Sequence, residues 1–196
     1  MSAAGIKWRA TVNCGRDERT HAELKVTMFE LKQAITDVPD FPRPGILFRD
    51  ISPLLRDHFE AAVHALDALL TDAEWSEIDA LAGIESRGFI LGAALAIRRG
   101  KGFVLVRKQG KLPPPVVDVA YTLEYGTGVL EMQRGQGRVM LVDDVLATGG
   151  TMTAAAELCQ RAGYQVHALV ALIDLNIVVN YSWQTLPLRS AIDYQG

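Results

Sequence analysis

Val139-Met140-Leu141-Val142-Asp143-Asp144-Val145-Leu146-Ala147-Thr148-Gly149-Gly150-Thr151 is the stretch on which the fold turns. Four consecutive apolar residues run into two acids. Small residues then lead into 151–162, whose spacing predicts a helix ended by Gly163. A strand without alternation is covered on both faces, as in a parallel sheet. The loop between such a strand and its helix collects unpaired amides at the positive end of the helix dipole. Ala147, Thr148, Gly149, Gly150 and Thr151 therefore form a candidate anion site. Gly149 and Gly150 let an anion approach the backbone, and Thr148 and Thr151 add hydroxyl donors. The lysine of a nucleoside-triphosphate P-loop is missing, so that reading fails. The plain alternative is a strand-to-helix turn capped by threonine.

The acids need their own account. Asp143 and Asp144 repel each other at the end of a strand, so stability does not explain them. A sugar diol and hydrated Mg²⁺ offset the repulsion, because hydroxyls donate to carboxylates and Mg²⁺ prefers oxygen ligands. The stretch reads as a seat for ribose 5-phosphate, with phosphate on the loop and the 2- and 3-hydroxyls at the acids.

The flanking sequence repeats the strand-and-helix theme. Residues 78–83 form a short apolar run ending in glycine, and 88–98 is apolar on all sides, which predicts a buried strand and a buried helix. Residues 103–106 and 166–173 read as further strands, and 129–133 as an exposed one. Helical spacing of Phe59, Ala62, Val63, Leu66 and Leu70 predicts an amphipathic helix. A short helix is expected over 28–38, and a long loop over 108–122, where three prolines stand together. The fold class expected is α/β, a central mostly parallel sheet flanked by helices. Residues 1–27 read as a poorly ordered extension and 28–196 as a single domain.

Composition narrows the class. Of 196 residues, 49% are hydrophobic, enough for a core, and a net charge of -3 argues against a nucleic-acid coat. Cys14 and Cys159 stand far apart without metal-ligand spacing, which favours a reducing cytoplasm over a disulfide framework. No stretch approaches the ~18 apolar residues of a membrane span, and no secretory signal is read at the start.

The 139–151 stretch resembles the binding signature of the type I phosphoribosyltransferases for phosphoribosyl pyrophosphate. Three further segments are similar to the adenine-specific members of that family. They are Phe41-Pro42-Arg43-Pro44-Gly45-Ile46-Leu47-Phe48-Arg49-Asp50-Ile51-Ser52, Gly83-Ile84-Glu85-Ser86-Arg87-Gly88-Phe89, and Arg107-Lys108-Gln109-Gly110-Lys111-Leu112-Pro113 continuing to Tyr121-Thr122-Leu123-Glu124-Tyr125-Gly126. The likeness covers roughly residues 28–175. It implies the type I fold with a small N-terminal hood, and conversion of adenine and phosphoribosyl pyrophosphate to AMP and pyrophosphate. It also implies Mg²⁺ held mainly through substrate, and a homodimer with no nucleic-acid or membrane partner.

Each segment has a physical reading beside the resemblance. A purine needs an apolar face on each side, which Phe48 and Val145 can supply, although Phe48 also reads as a core aromatic. The resemblance gives the backbone of Leu47 and Arg49 the base edge. Glu85, Ser86 and Arg87 stand between a strand and a helix as a second anion site, for pyrophosphate, and the resemblance implies a cis Glu85–Ser86 peptide. Arg87 offers a bidentate fork. Arg107, Lys108 and Lys111 place cations beside a proline-rich lid, or else form a solvated basic turn. By resemblance Glu124 is the general acid/base for the purine ring, where spacing alone leaves a surface glutamate. Tyr125 joins it on the lid. The alternatives are a non-catalytic sensor of phosphoribosyl pyrophosphate and an enzyme for another base. The first lacks room for a DNA-binding module, and the 41–52 segment argues against the second.

Overall fold

The computed structural model describes residues 28–123 and 126–194. The expected extension 1–27 and the lid residues Glu124 and Tyr125 lie outside the described residues. The chain begins with α1 (Met28–Gln33), β1 (Thr36–Pro39) and β2 (Leu47–Asp50), followed by α2 (Ser52–Asp57), α3 (Phe59–Asp67) and α4 (Asp72–Ser76). Next come β3 (Ala80–Ile84), α5 (Arg87–Arg99), β4 (Gly102–Lys108), β5 (Val116–Leu123) and β6 (Gly126–Gln133). The last elements are β7 (Gly137–Leu146), α6 (Gly150–Ala162), β8 (Tyr164–Asp174), β9 (Ser182–Trp183) and β10 (Leu186–Asp193).

The main sheet has the order β5-β6-β4-β3-β7-β8-β10-β9. β4, β3, β7, β8 and β10 run parallel, and β5, β6 and β9 pair antiparallel at its edges. The apolar run of β7 is explained by burial on both faces. Met140 and Val142 share one core with Leu91 and Leu95 of α5. Val139 and Leu141 share the other with Met152, Leu158 and Cys159 of α6. At roughly 25 cal/mol per Å² of apolar area, such double coverage is where most of the sheet's stabilisation arises. Burial pushes the Cys159 thiol up to about 12, as befits a packing residue.

The strand order also creates the site. From β3 the chain crosses through α5 to β4 on one side. From β7 it crosses through α6 to β8 on the other. The crevice between the C-terminal ends of β3 and β7 is the topological switch point, where open α/β sheets bind ligands.

Several local expectations are corrected. The helix expected over 28–38 stops at Gln33, because Thr36–Pro39 pairs with Leu47–Asp50 to build a separate two-stranded hood. The loop expected over 108–122 shrinks to 109–115. Val116–Leu123 pairs with β6 along its whole length, a non-local partnership that overrides the nearby prolines. β6 is not an exposed strand, since Leu130 and Met132 are buried in the core shared with α6. The tail beyond Asp174 adds β10, parallel to β8, and closes that side of the sheet.

Candidate functional site

β7 carries the acids to the crevice, and its pairing with β8 continues through Asp143 and Val145 to Leu146. Asp144 is buried and Asp143 half-buried. The Asp143 Oδ1 accepts the Asp144 backbone N–H at 2.9 Å. Burial first, and then the charge of Asp144, raise the Asp143 carboxyl well above the usual aspartate range. Asp144 Oδ2 lies 2.7 Å from an Arg87 guanidinium nitrogen but off the line of its N–H bonds. That buried oxygen is therefore ion-paired with Arg87 but receives no hydrogen bond.

The next turn supplies donors. Gly149 sits at φ 80° immediately before α6, and no side chain caps the helix start. The first amides of this 13-residue helix are thus left for an external anion. Two tyrosines to which the sequence assigns no role border this loop. Tyr121 of β5 stands beside the Thr151 side chain. Tyr181 lies against Gly149 and contacts its carbonyl oxygen. Neither could be found from spacing, because each arrives from a segment far away in the chain.

On the β3 side, the Glu85–Ser86 peptide is cis and leads into α5 at Arg87. Gly88 lets α5 start hard against β7, since a Cβ there would stand 2.6 Å from the Val142 carbonyl oxygen. The Glu85 carboxylate turns toward cations rather than toward an anion. It faces Arg107 Nε at 3.3 Å and accepts the Lys108 N–H at 2.9 Å. Any part Glu85 plays in holding pyrophosphate falls to its backbone. Arg107 also donates to the Lys111 carbonyl at 3.1 Å. The loop beyond is pinned by Glu131, whose buried carboxylate accepts the N–H groups of Gly110, Lys111 and Leu112 at 2.7–3.0 Å. The ammonium-bearing Lys108 and Lys111 are exposed at the C-terminal edge of the sheet.

The hood completes the crevice. A cleft of about 590 Å³ is lined by Val38, Phe41, Phe48, Asp50, Ser52 and Arg87. Phe41 and Phe48 meet edge to face, with centroids 5.1 Å apart. The Arg87 guanidinium lies 5.1 Å from the Phe48 centroid while its other end contacts Asp144. One side chain therefore connects the aromatic cleft to the acid pair. Arg49 is paired with Asp37 and stacked 4.1 Å from the Tyr194 ring, so its side chain is engaged in holding the hood to the C-terminus. Leu47 is exposed, and Val145 is partly buried against the α5-side core. Asp50 and Ser52 stand in the 41–52 segment, but the sequence assigns them no role. Asp50 accepts both the N–H and the hydroxyl of Ser52, at 2.9 and 2.6 Å, bonds that hold its carboxyl below the usual range. Asp50-Ile51-Ser52-Pro53 carries the helix-start signal that could have revealed them.

Aromatic cleft, cation, acid pair and naked helix amides at one switch point describe a protein built for a base, a sugar and phosphates. The phosphoribosyl transferase domain model matches residues 56–177, and the chain belongs to the phosphoribosyltransferase family. Its relatives narrow the class to adenine. The adenine phosphoribosyltransferase of Hydrogenovibrio crunogenus is 52% identical over 165 residues, spanning 84% of this chain and 96% of the relative. Among solved structures, adenine phosphoribosyltransferase from Rhodothermus marinus matches at 44% identity and a TM-score of 0.74, over 85% of this chain and 98% of that one. The Saccharomyces cerevisiae adenine phosphoribosyltransferase, complexed with D-2,5-dideoxy-2,5-imino-altritol 1,6-bisphosphate and adenine, matches at 36% identity and a TM-score of 0.77. It covers 84% of this chain and 98% of the other.

Proposed function

We propose that the protein transfers the phosphoribosyl group of phosphoribosyl pyrophosphate to adenine, giving AMP and pyrophosphate. The observation that carries the reading is Arg87, which touches both the Phe48 face of the cleft and the carboxylate of Asp144. Base site and sugar site thereby share one wall.

The 5-phosphate sits on the amides and hydroxyls of Ala147, Thr148, Gly149, Gly150 and Thr151. Asp143 and Asp144 accept from the ribose hydroxyls, and Asp144 Oδ2 gains the hydrogen bond it lacks. Engagement of Asp144 by the sugar loosens its hold on Arg87, whose fork then serves pyrophosphate together with Arg107, Lys108 and Lys111. Ser86 and the Glu85 backbone line that second anion seat. Adenine lies between Phe48 and Val145, its edge read by the backbone of Leu47 and Arg49. Glu124 manages the proton at the purine ring, and Tyr125 closes beside it. Departure of pyrophosphate leaves positive charge on the ribose ring, which the acid pair stabilises while N9 bonds to C1.

Mg²⁺ fits the acid pair because two neighbouring carboxylates, one with an oxygen that receives no hydrogen bond, offer hard oxygen ligands. Bound there, it would neutralise charge on the leaving pyrophosphate.

A homodimer is the expected assembly. Ile90 and Ile97 are seven positions apart on α5 and remain 45% and 84% exposed. Leu105 of β4 shares the sheet face of Phe103, which meets α5 at Gly92, and is 38% exposed. A second copy would cover this apolar surface. The free Cys159 suits a reducing compartment, and the cytoplasm is the expected location. No helix among the described residues is long and apolar enough to cross a membrane.

The test offers purified protein adenine, hypoxanthine, guanine, xanthine and orotate with phosphoribosyl pyrophosphate, with Mg²⁺ and with chelator. Adenine alone should turn over rapidly, and chelator should stop it. Nucleotide from another base but not from adenine overturns the substrate reading, and no nucleotide from any base overturns the activity.

A further inference from the structure

Tyr181 comes from the segment between β8 and β9, 32 positions beyond Gly149. Its ring lies so close to the Gly149 Cα that a methyl group there would collide with the ring carbon Cε2. Its hydroxyl donates to the Gly149 carbonyl oxygen at 3.3 Å and stands 2.8 Å from Thr153 Oγ1. A hydroxyl has one proton. With that proton on Gly149, the contact to Thr153 must be the threonine donating, so the chain runs Thr153 to Tyr181 to Gly149. The same Gly149 carbonyl accepts the Thr153 backbone N–H at 2.9 Å, which fills both of its lone pairs. The carbonyl of Gly149 and the N–H of Gly150 belong to one planar peptide and point in opposite directions. Fixing the carbonyl toward Tyr181 and the helix therefore fixes the Gly150 N–H toward the open side of the loop.

We propose that Tyr181 is a positioning residue for the phosphate loop, orienting the Gly149–Gly150 peptide so that its N–H faces the bound anion. The inference rests on the reading of residues 147–151 as the 5-phosphate seat. Burial pushes the Tyr181 hydroxyl above its ordinary range, so it stays protonated and able to donate throughout the working pH range. Tyr181 itself never touches the sugar or the base. Its effect should appear in phosphate affinity and leave adenine recognition alone.

The experiment compares wild type, Tyr181→Phe, Thr153→Val, Thr153→Ser and the Tyr181→Phe/Thr153→Val double variant. Measured are KM for phosphoribosyl pyrophosphate, KM for adenine, kcat, calorimetric Kd for ribose 5-phosphate, and Tm. Tyr181→Phe keeps the ring against Gly149 and removes only the hydroxyl. It should raise KM for phosphoribosyl pyrophosphate and Kd for ribose 5-phosphate about fivefold, the worth of one neutral hydrogen bond. Adenine KM and kcat should stay within about twofold. Thr153→Val removes only the donor that orients the Tyr181 hydroxyl and should show the same selective change at smaller size, Thr153→Ser should restore wild-type values, and the double variant should be no worse than Tyr181→Phe. Equal affinity of wild type and Tyr181→Phe for ribose 5-phosphate overturns the proposal and leaves the phosphate seat standing. Equal rises in both KM values also overturn it, since they mark general loosening. If Tyr181→Phe fails to fold, Thr153→Val decides by the same criteria. Wild-type protein that does not bind ribose 5-phosphate overturns the seat itself, and the proposal with it.

Discussion

Residues 85–88 and residues 147–151 both join a parallel strand to a 13-residue helix at the same crevice, yet they are held in different ways. The first turn is fixed by charge. Glu85 grips Arg107, and Arg87 reaches across to Asp144. The second is fixed by backbone shape, with a left-handed Gly149, uncapped amides and a tyrosine packed behind. A turn already filled with ion pairs can release a cation only when a ligand takes its partner. A turn with open amides receives an anion without rearrangement. The difference assigns exchange to the β3 side and static reception to the β7 side.

The hardest blow to this contrast is Gly149→Ala. The added methyl meets the Tyr181 ring and the residue must hold φ 80°, so the loop has to move. A displacement near 1 Å costs on the order of a hundredfold in well-oriented catalysis. We expect kcat/KM for phosphoribosyl pyrophosphate to fall by about that much, with circular dichroism unchanged. A loss under about tenfold would mean that backbone shape does not govern this turn. Arg87→Lys probes the other side and should do less. Lysine can keep one contact with Asp144 but lacks the fork that spans Asp144 and the Phe48 face. KM for phosphoribosyl pyrophosphate should rise about tenfold in steady-state assays. An unchanged value removes Arg87 from the exchange.

The two turns also differ in how much of them the sequence reveals. The β7 turn is written locally, in Val139 to Val142, the paired acids and the glycines, so both strand and anion seat are legible. The type of every central parallel element follows from the same local signals. What local signals miss is made by pairing at a distance. Val116–Leu123 becomes a strand through β6, and Thr36–Pro39 through β2. Tyr121, Tyr181 and Tyr194 look like ordinary tyrosines until the fold sets them beside Thr151, Gly149 and Arg49. Glu85 is misleading in the opposite way. Its place in an anion-binding turn is visible, but the fold spends its carboxylate on Arg107.

The smallest effect concerns stability, and it separates the two acids of β7. Asp144 has a cation beside it, whereas Asp143 has burial and a like charge against it, which raise its carboxyl above its unfolded value of 3.8. A carboxyl raised on folding binds its proton more tightly in the native state. Above the native pKa both states are ionised and the penalty of burying the charge is fully present. As pH falls through the native pKa toward 3.8 the penalty is relieved, so this group alone makes the fold more stable with acid. Asp143→Asn removes the charge while its amide oxygen can still accept the Asp144 N–H. Above the native pKa it should therefore stabilise the ligand-free protein by about 0.5–1 kcal/mol, a small upward shift in Tm, while weakening ribose 5-phosphate binding. The gain should shrink as the medium is acidified through the native pKa, because wild type then becomes neutral at the same position. A variant less stable than wild type above the native pKa would show that the Asp143 charge supports the fold, and would end the view that this strand end carries a cost offset only by the sugar.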